Sequence, residues 1–317
     1  MFTNRMIRNL LVPVVLEQIL NSIMGTADTM MVSNVGSAAL SAVSLVDSIN
    51  VLLIQAFSAL AAGGAIVCAQ YIGQRNYEKA NMSARQVLFI ITAISVVVSA
   101  VCLIFQKPLL RLIFGAVDAD VMRASEIYFF FTALSFPFIA AYDSAASIFR
   151  AQENTKGPMT ISMISNIMNI GGNAVLIWVF HLGVAGAAIS TLVSRIFCAV
   201  VVLWQLRKDR QPVVVRDYLK IRPDWSMIGR ILGLGIPSGI ENSMFQLGKL
   251  AIQSTVSTLG TAAIAAQAMT NILENLNGIA AIGVGVGLMT IVGQCLGAGR
   301  KDEAVYYIKK TSASLQR

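Results

Sequence analysis

The stretch LVPVVLEQILNSIMGTADTMMVSNVG, residues 11–36, decides how the rest of the chain is read. Leu, Val, Ile and Met dominate it, and no turn signal appears until Ser33-Asn34-Val35-Gly36. A helix that crosses a bilayer needs roughly 20 mostly apolar residues, and this run supplies them. It follows Arg5 and Arg8, as a secretory signal would, but it is too long and Glu17, Gln18, Asn21 and Asp28 interrupt it, so it reads as a retained span, about 9–32. Working outward, further runs lie at about 38–70, 85–105, 125–148, 158–180, 184–206, 229–257 and 262–296, and a ninth begins at 305–317. Breaker and charge signals such as Gly73-Gln74-Arg75-Asn76 and Asn154-Thr155-Lys156-Gly157-Pro158 separate them. The second and eighth runs exceed one membrane thickness, and Gly63-Gly64 and Gly283, Gly285 and Gly287 predict tilted or bent helices there. The fold class is an all-α polytopic membrane protein.

Composition agrees. The 317 residues are 56% hydrophobic and 13% charged, where a soluble domain carries about 25% charged residues. This excludes an ordinary cytosolic enzyme, a disordered protein and a secreted disulfide scaffold. Cys68, Cys102, Cys198 and Cys295 all lie inside apolar runs and read as small apolar fillers. With His181 as the one histidine, no transition-metal site or other resident cofactor is expected. The net charge of +8 is distributed as a topology signal rather than as a nucleic-acid surface. Of 24 Lys and Arg, 19 fall at the N-terminus and near 73–86, 149–157, 207–230 and 298–317. Three, Lys107, Arg111 and Arg123, fall on the other side, and Arg195 and Lys249 sit at membrane depth. The excess of basic residues marks the cytoplasmic side, so the N-terminus is expected inside.

The chain also repeats itself at a shift of 224 residues without a gap: Pro13 and Glu17 recur as Pro237 and Glu241, Gly36 and Gly63 as Gly260 and Gly287, and Gln70 and Gly73 as Gln294 and Gly297. Six spans separate equivalent positions, so both copies cross the membrane in the same direction, the parallel-repeat arrangement of some secondary transporters. Two lobes are expected, 1–222 with six spans and a cytoplasmic linker, and 223–317 with spans seven, eight and the start of nine. Two full copies need about 448 residues, so the second lobe is expected to be incomplete by roughly four spans, and the 317-residue chain to be a piece of a longer protein that does not transport alone.

These motifs resemble the multidrug and toxic compound extrusion (MATE) family along essentially the whole chain. Asp28-Thr29-Met30-Met31-Val32 with Gly36 is similar to its first-span motif, and Arg150-Ala151-Gln152 with Gly157-Pro158 to the turn between its fourth and fifth spans. Asn169 through Trp178, Gly186 through Thr191, Gly260 through Gln267 and Gly293 through Gly299 resemble later segments. The resemblance implies twelve helices in two six-helix lobes, a central cleft, and drug export driven by inward flow of protons or sodium.

Polar residues inside the spans are the site candidates. A carboxylate at the bilayer centre costs about 2.5–3.5 kcal/mol on insertion scales, so it is retained for a reason. Asp28 lies eight residues before Gly36, about 12 Å along the helix, and its repeat equivalent is Ile252, so the acid belongs to one lobe only. The resemblance implies that Asp28 binds the coupling ion or proton, with Asn169, Asn173 and Thr191 beside it. Asn173 stands where many relatives have a second aspartate, which weakens a sodium site and suits a proton at a lone carboxylate. Interhelical hydrogen-bonding glue is the bland alternative for the three neutral residues. Glu17 and Glu241 each follow a proline by four residues and are read as structural or gating. Lys249 and Glu274 fall at comparable depth on adjacent spans, as a structural ion pair or as cleft residues. Asp47 and Asp143 lie within spans, Asp143 beside Tyr142 and facing the cleft. The 14 Met and 14 Phe are chiefly lipid-facing or core, though a soft lining suits hydrophobic cations.

The expected function is therefore antiport in a bacterial inner membrane, by a monomer that exports cationic or amphipathic small molecules, embedded in lipid and binding no nucleic acid. No phosphate-binding loop is present, since Gly248-Lys249 is followed by Leu250 and preceded by Ser243 where the first glycine belongs. A lipid-linked saccharide flippase of related fold is the alternative; it would call for a cleft dense in Arg and Lys, and here only Arg195 and Lys249 lie at depth. A membrane-embedded enzyme would need a nucleophile–base or metal constellation, which one histidine near an outer turn does not supply.

Overall fold

A computed structural model of the chain describes residues 2–114, 118–208, 211–215, 222–257 and 261–315, the side chains of most of 250–280 and of 312–315 excepted. Every regular element among them is helical. The first four are α1 (Asn4–Ser33), α2 (Ser37–Gly73), α3 (Tyr77–Ile104) and the short α4 (Gln106–Phe114). Then come α5 (Ala119–Leu134), α6 (Phe136–Ala151), α7 (Lys156–Ala174) with a π-helical end at Val175–Val179, and α8 (Val184–Leu206). The chain closes with α9 (Trp225–Ser257), α10 (Thr261–Gly297) and α11 (Lys301–Leu315). Five helices among the described residues, α1, α2, α3, α7 with its π-helical end and α8, are long and apolar enough to cross a membrane. The pair α5–α6, bent by 42°, makes a sixth span if counted as one. The large exposed apolar side chains, among them Ile104, Ile167, Val179 and Met244, give the outer surface the character of a lipid-facing wall.

Two expectations about bends are corrected. The helix α10, which carries Gly283, Gly285 and Gly287, runs unbroken from Thr261 to Gly297. Gly63 and Gly64 do not break α2, which runs unbroken to Gly73. They serve close approach instead: a Cβ on Gly63 would meet the Gly235 backbone N at 2.6 Å, and one on Gly64 would meet Val87. Without a hydrophobic drive between helices in lipid, such small residues are what let backbones pack. The break falls in the fourth span, at Ser135 before Phe136-Pro137, where proline disfavours α geometry in the residue preceding it and removes a backbone donor.

The core runs through α2, α3, α5, α6 and α8 and takes in Met227 and Ile231 of α9. A second, smaller cluster ties Phe2 to Ile291, Cys295, Ala304 and Tyr307, with the Tyr307 hydroxyl accepting from Phe2 N at 2.7 Å. Contacts between α1–α2 and α9–α10 come in reciprocal pairs. Gly63 meets Gly235 while Gly287 meets Leu11; Gly239 meets Ala59 while Gly283 meets Val15; Gly73 meets Gln294 while Gly297 meets Gln70. Each pair becomes its mate by the 224-residue shift with the two partners exchanged, the pattern of an isologous interface about a two-fold axis.

Two turns meet at one end of the bundle. The turn after α1 needs Gly36, with φ at +144°, and the turn before α8 needs Gly183, with φ at +55°, a region costly for side chains. A Cβ on Gly183 would lie 3.3 Å from Val35, so the two turns are neighbours. The site is built just below them.

Candidate functional site

The structure gathers Asp28, Asn169, Asn173 and Thr191 into one hydrogen-bonded group. Nδ2 of Asn173 donates to Asp28 Oδ1 at 2.5 Å. Asn169 satisfies its neighbours with its amide turned so that Nδ2 donates to Asp28 at 2.7 and 3.3 Å and its oxygen accepts from Thr191 Oγ1 at 3.3 Å. Asn169 and Asn173 are each 1% exposed, whereas Asp28 and Thr191 are half-buried. The carboxylate therefore faces the bundle interior, held by neutral donors, and the Asn173 carbonyl oxygen is buried without a partner.

Local sequence places these groups. A Cβ on Gly172 would lie 2.5 Å from Ser190 Oγ, so the glycine lets α7 and α8 touch. Ser190 donates to the Asn169 carbonyl at 2.8 Å and fixes the register. The π-helical turn begins two residues after Asn173, and such bulges recur at functional sites. The network continues down α7: Ser162 and Asn166 both donate to Asn21 Oδ1, at 2.9 and 3.1 Å. Sequence reasoning missed this extension, although the 4-3-4 spacing of Ser162, Asn166, Asn169 and Asn173 marks one polar helix face.

A second acid lies nearby. Asp47 on α2 accepts from Tyr128 Oη at 3.1 Å and from Asn50 Nδ2 at 3.2 Å. Arg195 on α8 donates from Nη1 to Ser135 Oγ at 2.6 Å, and Ser135 is fully buried at the break of the fourth span. Tyr128, Asn50 and Ser135 were not singled out from sequence, since a tyrosine, an asparagine and a serine in apolar runs carry no local signal of partners on other helices.

Glu17 is 2% exposed and forms a bidentate pair with Arg150 Nη2 at 2.9 and 3.0 Å. The Tyr142 hydroxyl stands 3.1 Å from Glu17 and 3.2 Å from the Pro158 carbonyl. From α10, Thr290 donates to the Arg150 carbonyl at 3.1 Å and Gln294 to the Ala151 carbonyl at 2.9 Å. Asp143 is half-buried on α6, in the field of Glu17 and Arg150. Glu241, read as the counterpart of Glu17, is exposed on α9, so the repeat does not give the two glutamates the same surroundings. Lys249 sits 5.0 Å from the Phe245 ring; the side chain of its predicted partner Glu274, and the whole of Gly260, lie outside what the structure describes.

A helical, lipid-walled bundle with a polar ladder and acids held at its centre is the build of a membrane carrier. The MatE family model matches residues 13–175 and 237–313, the second match beginning at the repeat equivalent of the first, and the chain belongs to the MATE family of transporters. A probable multidrug resistance protein, YoeA of Bacillus subtilis, is 27% identical over 308 residues, 94% of this chain and 66% of its own length. A probable multidrug resistance protein, NorM of Thermotoga maritima, is 25% identical over 308 residues, 95% of this chain and 65% of its own. Among solved structures, a MATE transporter in its bent conformation superimposes with a TM-score of 0.89 at 21% identity, covering 98% of this chain and 70% of that one. The chain thus spans just under two thirds of the length of these curated relatives.

Proposed function

We propose that this chain carries the ion-coupling lobe of a secondary transporter that exports cationic or amphipathic small molecules by antiport with protons or sodium. One observation carries the reading: the Asp28 carboxylate faces the bundle interior and is held by Asn169 and Asn173, donors that orient it without neutralising it. A carboxylate in such surroundings attracts a cation. A proton needs only the carboxylate, and sodium finds further oxygens on Asn169, Asn173 and Thr191. Binding biases the equilibrium between outward- and inward-open states, because the charged form is tolerated where water reaches it and the neutral form where it does not. The reciprocal contacts of α1–α2 with α9–α10 support two parallel lobes, 1–222 and 223–317, rocking about this seam. The relatives' names support drugs over lipid-linked saccharides as cargo. The setting is the inner membrane of a bacterium, as a monomer, with the N-terminus in the cytoplasm.

The test is drug efflux from vesicles holding the full-length protein at fixed substrate, under separate proton and sodium gradients, with its unmodified form as reference. Asp28→Asn keeps the shape and most hydrogen bonds but cannot release a proton, so gradient-driven export should vanish while the protein stays folded. Export at the reference rate under either gradient would make Asp28 structural.

A further inference from the structure

Asp28 does not stand alone in its layer. The helices α2 and α8 both start at the end of the bundle that carries the 34–36 and 180–183 turns. Asp47 is ten residues past Ser37 and Arg195 eleven past Val184, so the two lie about 15 and 17 Å below that end. Side chains on a helix lean toward its N-terminus. Those of Asp47 and Arg195 therefore lean up toward the turns, while Asp28, on a helix that runs the other way, leans down. The three converge. Asp47 is held by Tyr128 of α5 and Arg195 by Ser135 at the break that follows α5.

Arg195 is the unusual member. Its one hydrogen bond among the described residues goes to an uncharged hydroxyl, and its other nitrogens are not sealed against protein. The carboxylates acting on it are Asp47, Asp143 and Asp28. Asp143 lies on α6, where Arg150 acts on it more strongly than Arg195 does, so its cation is Arg150; that leaves Asp28 and Asp47 as the acids served by Arg195, with Tyr128 the remaining titratable group beside them. A guanidinium is always charged, so the layer holds two carboxylates and one permanent cation.

Resting on the reading of Asp28 as the coupling residue, we infer that Arg195 is the fixed counter-ion of the Asp28–Asp47 layer, so that the layer offers one negative charge and takes up one monovalent cation: a proton, a sodium ion or the cationic group of a substrate. Tyr128 and Asn50 hold Asp47 as the acid that Arg195 compensates, and Asp28 is left to exchange ligands. The same arrangement makes the lobe selective, since a dication would overcompensate a layer with one charge to give.

The test is calorimetric binding of tetraphenylphosphonium, a hydrophobic monocation, to the purified 317-residue chain in sodium-free detergent at pH 7.5. Asp47→Asn leaves Arg195 to compensate Asp28, and affinity should fall about tenfold; Arg195→Gln frees a second carboxylate, and affinity should rise about tenfold, the effect of a unit charge roughly 10 Å away at an effective dielectric constant of about 20. The double variant Asp47→Asn/Arg195→Gln should return to within about threefold of native, and Arg195→Lys, which keeps the charge, should match it. Thermal unfolding identifies any misfolded variant, and Asp47→Asn with Arg195→Lys carry the test if Arg195→Gln misfolds. Changes of the same sign in Asp47→Asn and Arg195→Gln, or none beyond threefold, overturn the inference. If Asp28→Asn alone then abolishes binding, the coupling role of Asp28 survives and Arg195 is a strut for the Ser135 break. Native-like binding by Asp28→Asn, or no binding by the unmodified chain, overturns both.

Discussion

Glu17 shows how much a single residue's role depends on partners far away in the chain. From sequence it is a glutamate four residues past Pro13, and nothing local points to Arg150, 133 residues on. In the folded chain the pair is buried, with Tyr142 adding a third contact and Thr290 and Gln294 holding the end of α6 from the other side. Removing one partner of such a pair leaves an uncompensated buried charge, at a cost of about 3–5 kcal/mol, while replacing both costs far less. Glu17→Gln and Arg150→Met should therefore each lower the thermal unfolding midpoint clearly in detergent, and Glu17→Gln/Arg150→Met should recover much of the loss. Midpoint losses that simply add in the double variant would show that the two charges do not act as a pair. Asp28 differs at the same scale: its neighbours are neutral amides, so Asp28→Asn is expected to leave stability nearly intact.

At the scale of elements, the helices follow the apolar runs closely, because the bilayer demands continuous apolar length and the chain has few other ways to satisfy its backbone. What the runs do not encode is how helices touch. The glycines of α2 and α10 suggested bends; their use is close crossing, and it is visible only once both helices are placed. A methyl group at Gly73 would coincide with the Gln294 carbonyl, and one at Gly297 with the Gln70 carbonyl. A backbone oxygen cannot step aside as a side chain can. Gly73→Ala and Gly297→Ala should each force α2 and α10 apart and lower the unfolding midpoint by several degrees, with similar losses because the two contacts are reciprocal. Gly171, exposed on α7 with nothing near its would-be Cβ, is the control; Gly171→Ala should be neutral or gain up to about 1 kcal/mol of helix propensity. If Gly73→Ala is as mild as Gly171→Ala, the α2–α10 crossing is looser than drawn. The candidate site was partly legible for a related reason. Asn169 and Asn173 announce a shared face by their spacing, but Tyr128, Ser135 and Asn21 are ordinary residues until other helices bring acids and amides to them.

For the whole molecule, orientation in the membrane follows from charge, and the fold sharpens the argument. The turns at 34–36 and 180–183 share one end of the bundle. The helix ends at Gly73 and Gly297 meet at the other, near the end of α6. Arg75, Lys79, Arg150, Lys156, Arg207, Lys208, Arg300 and Lys301 all fall at or next to helix ends on that second side. The side of the first pair of turns carries Lys107, Arg111 and Arg123. Translocating a segment rich in Lys and Arg is disfavoured, so the second side should be cytoplasmic. The expected result is that cysteines introduced into 73–86 or 207–228 react with a membrane-impermeant maleimide only after cells are opened, whereas those in 106–123 react in intact cells. The short helix Gln106–Phe114 makes the external assignment stringent, because Leu112 and Ile113 are exposed beside Lys107 and Arg111, the mixture of an interfacial helix rather than a span. Labelling of 207–228 in intact cells would invert the molecule, and with it the side of the membrane that the proposed coupling residue Asp28 lies nearer.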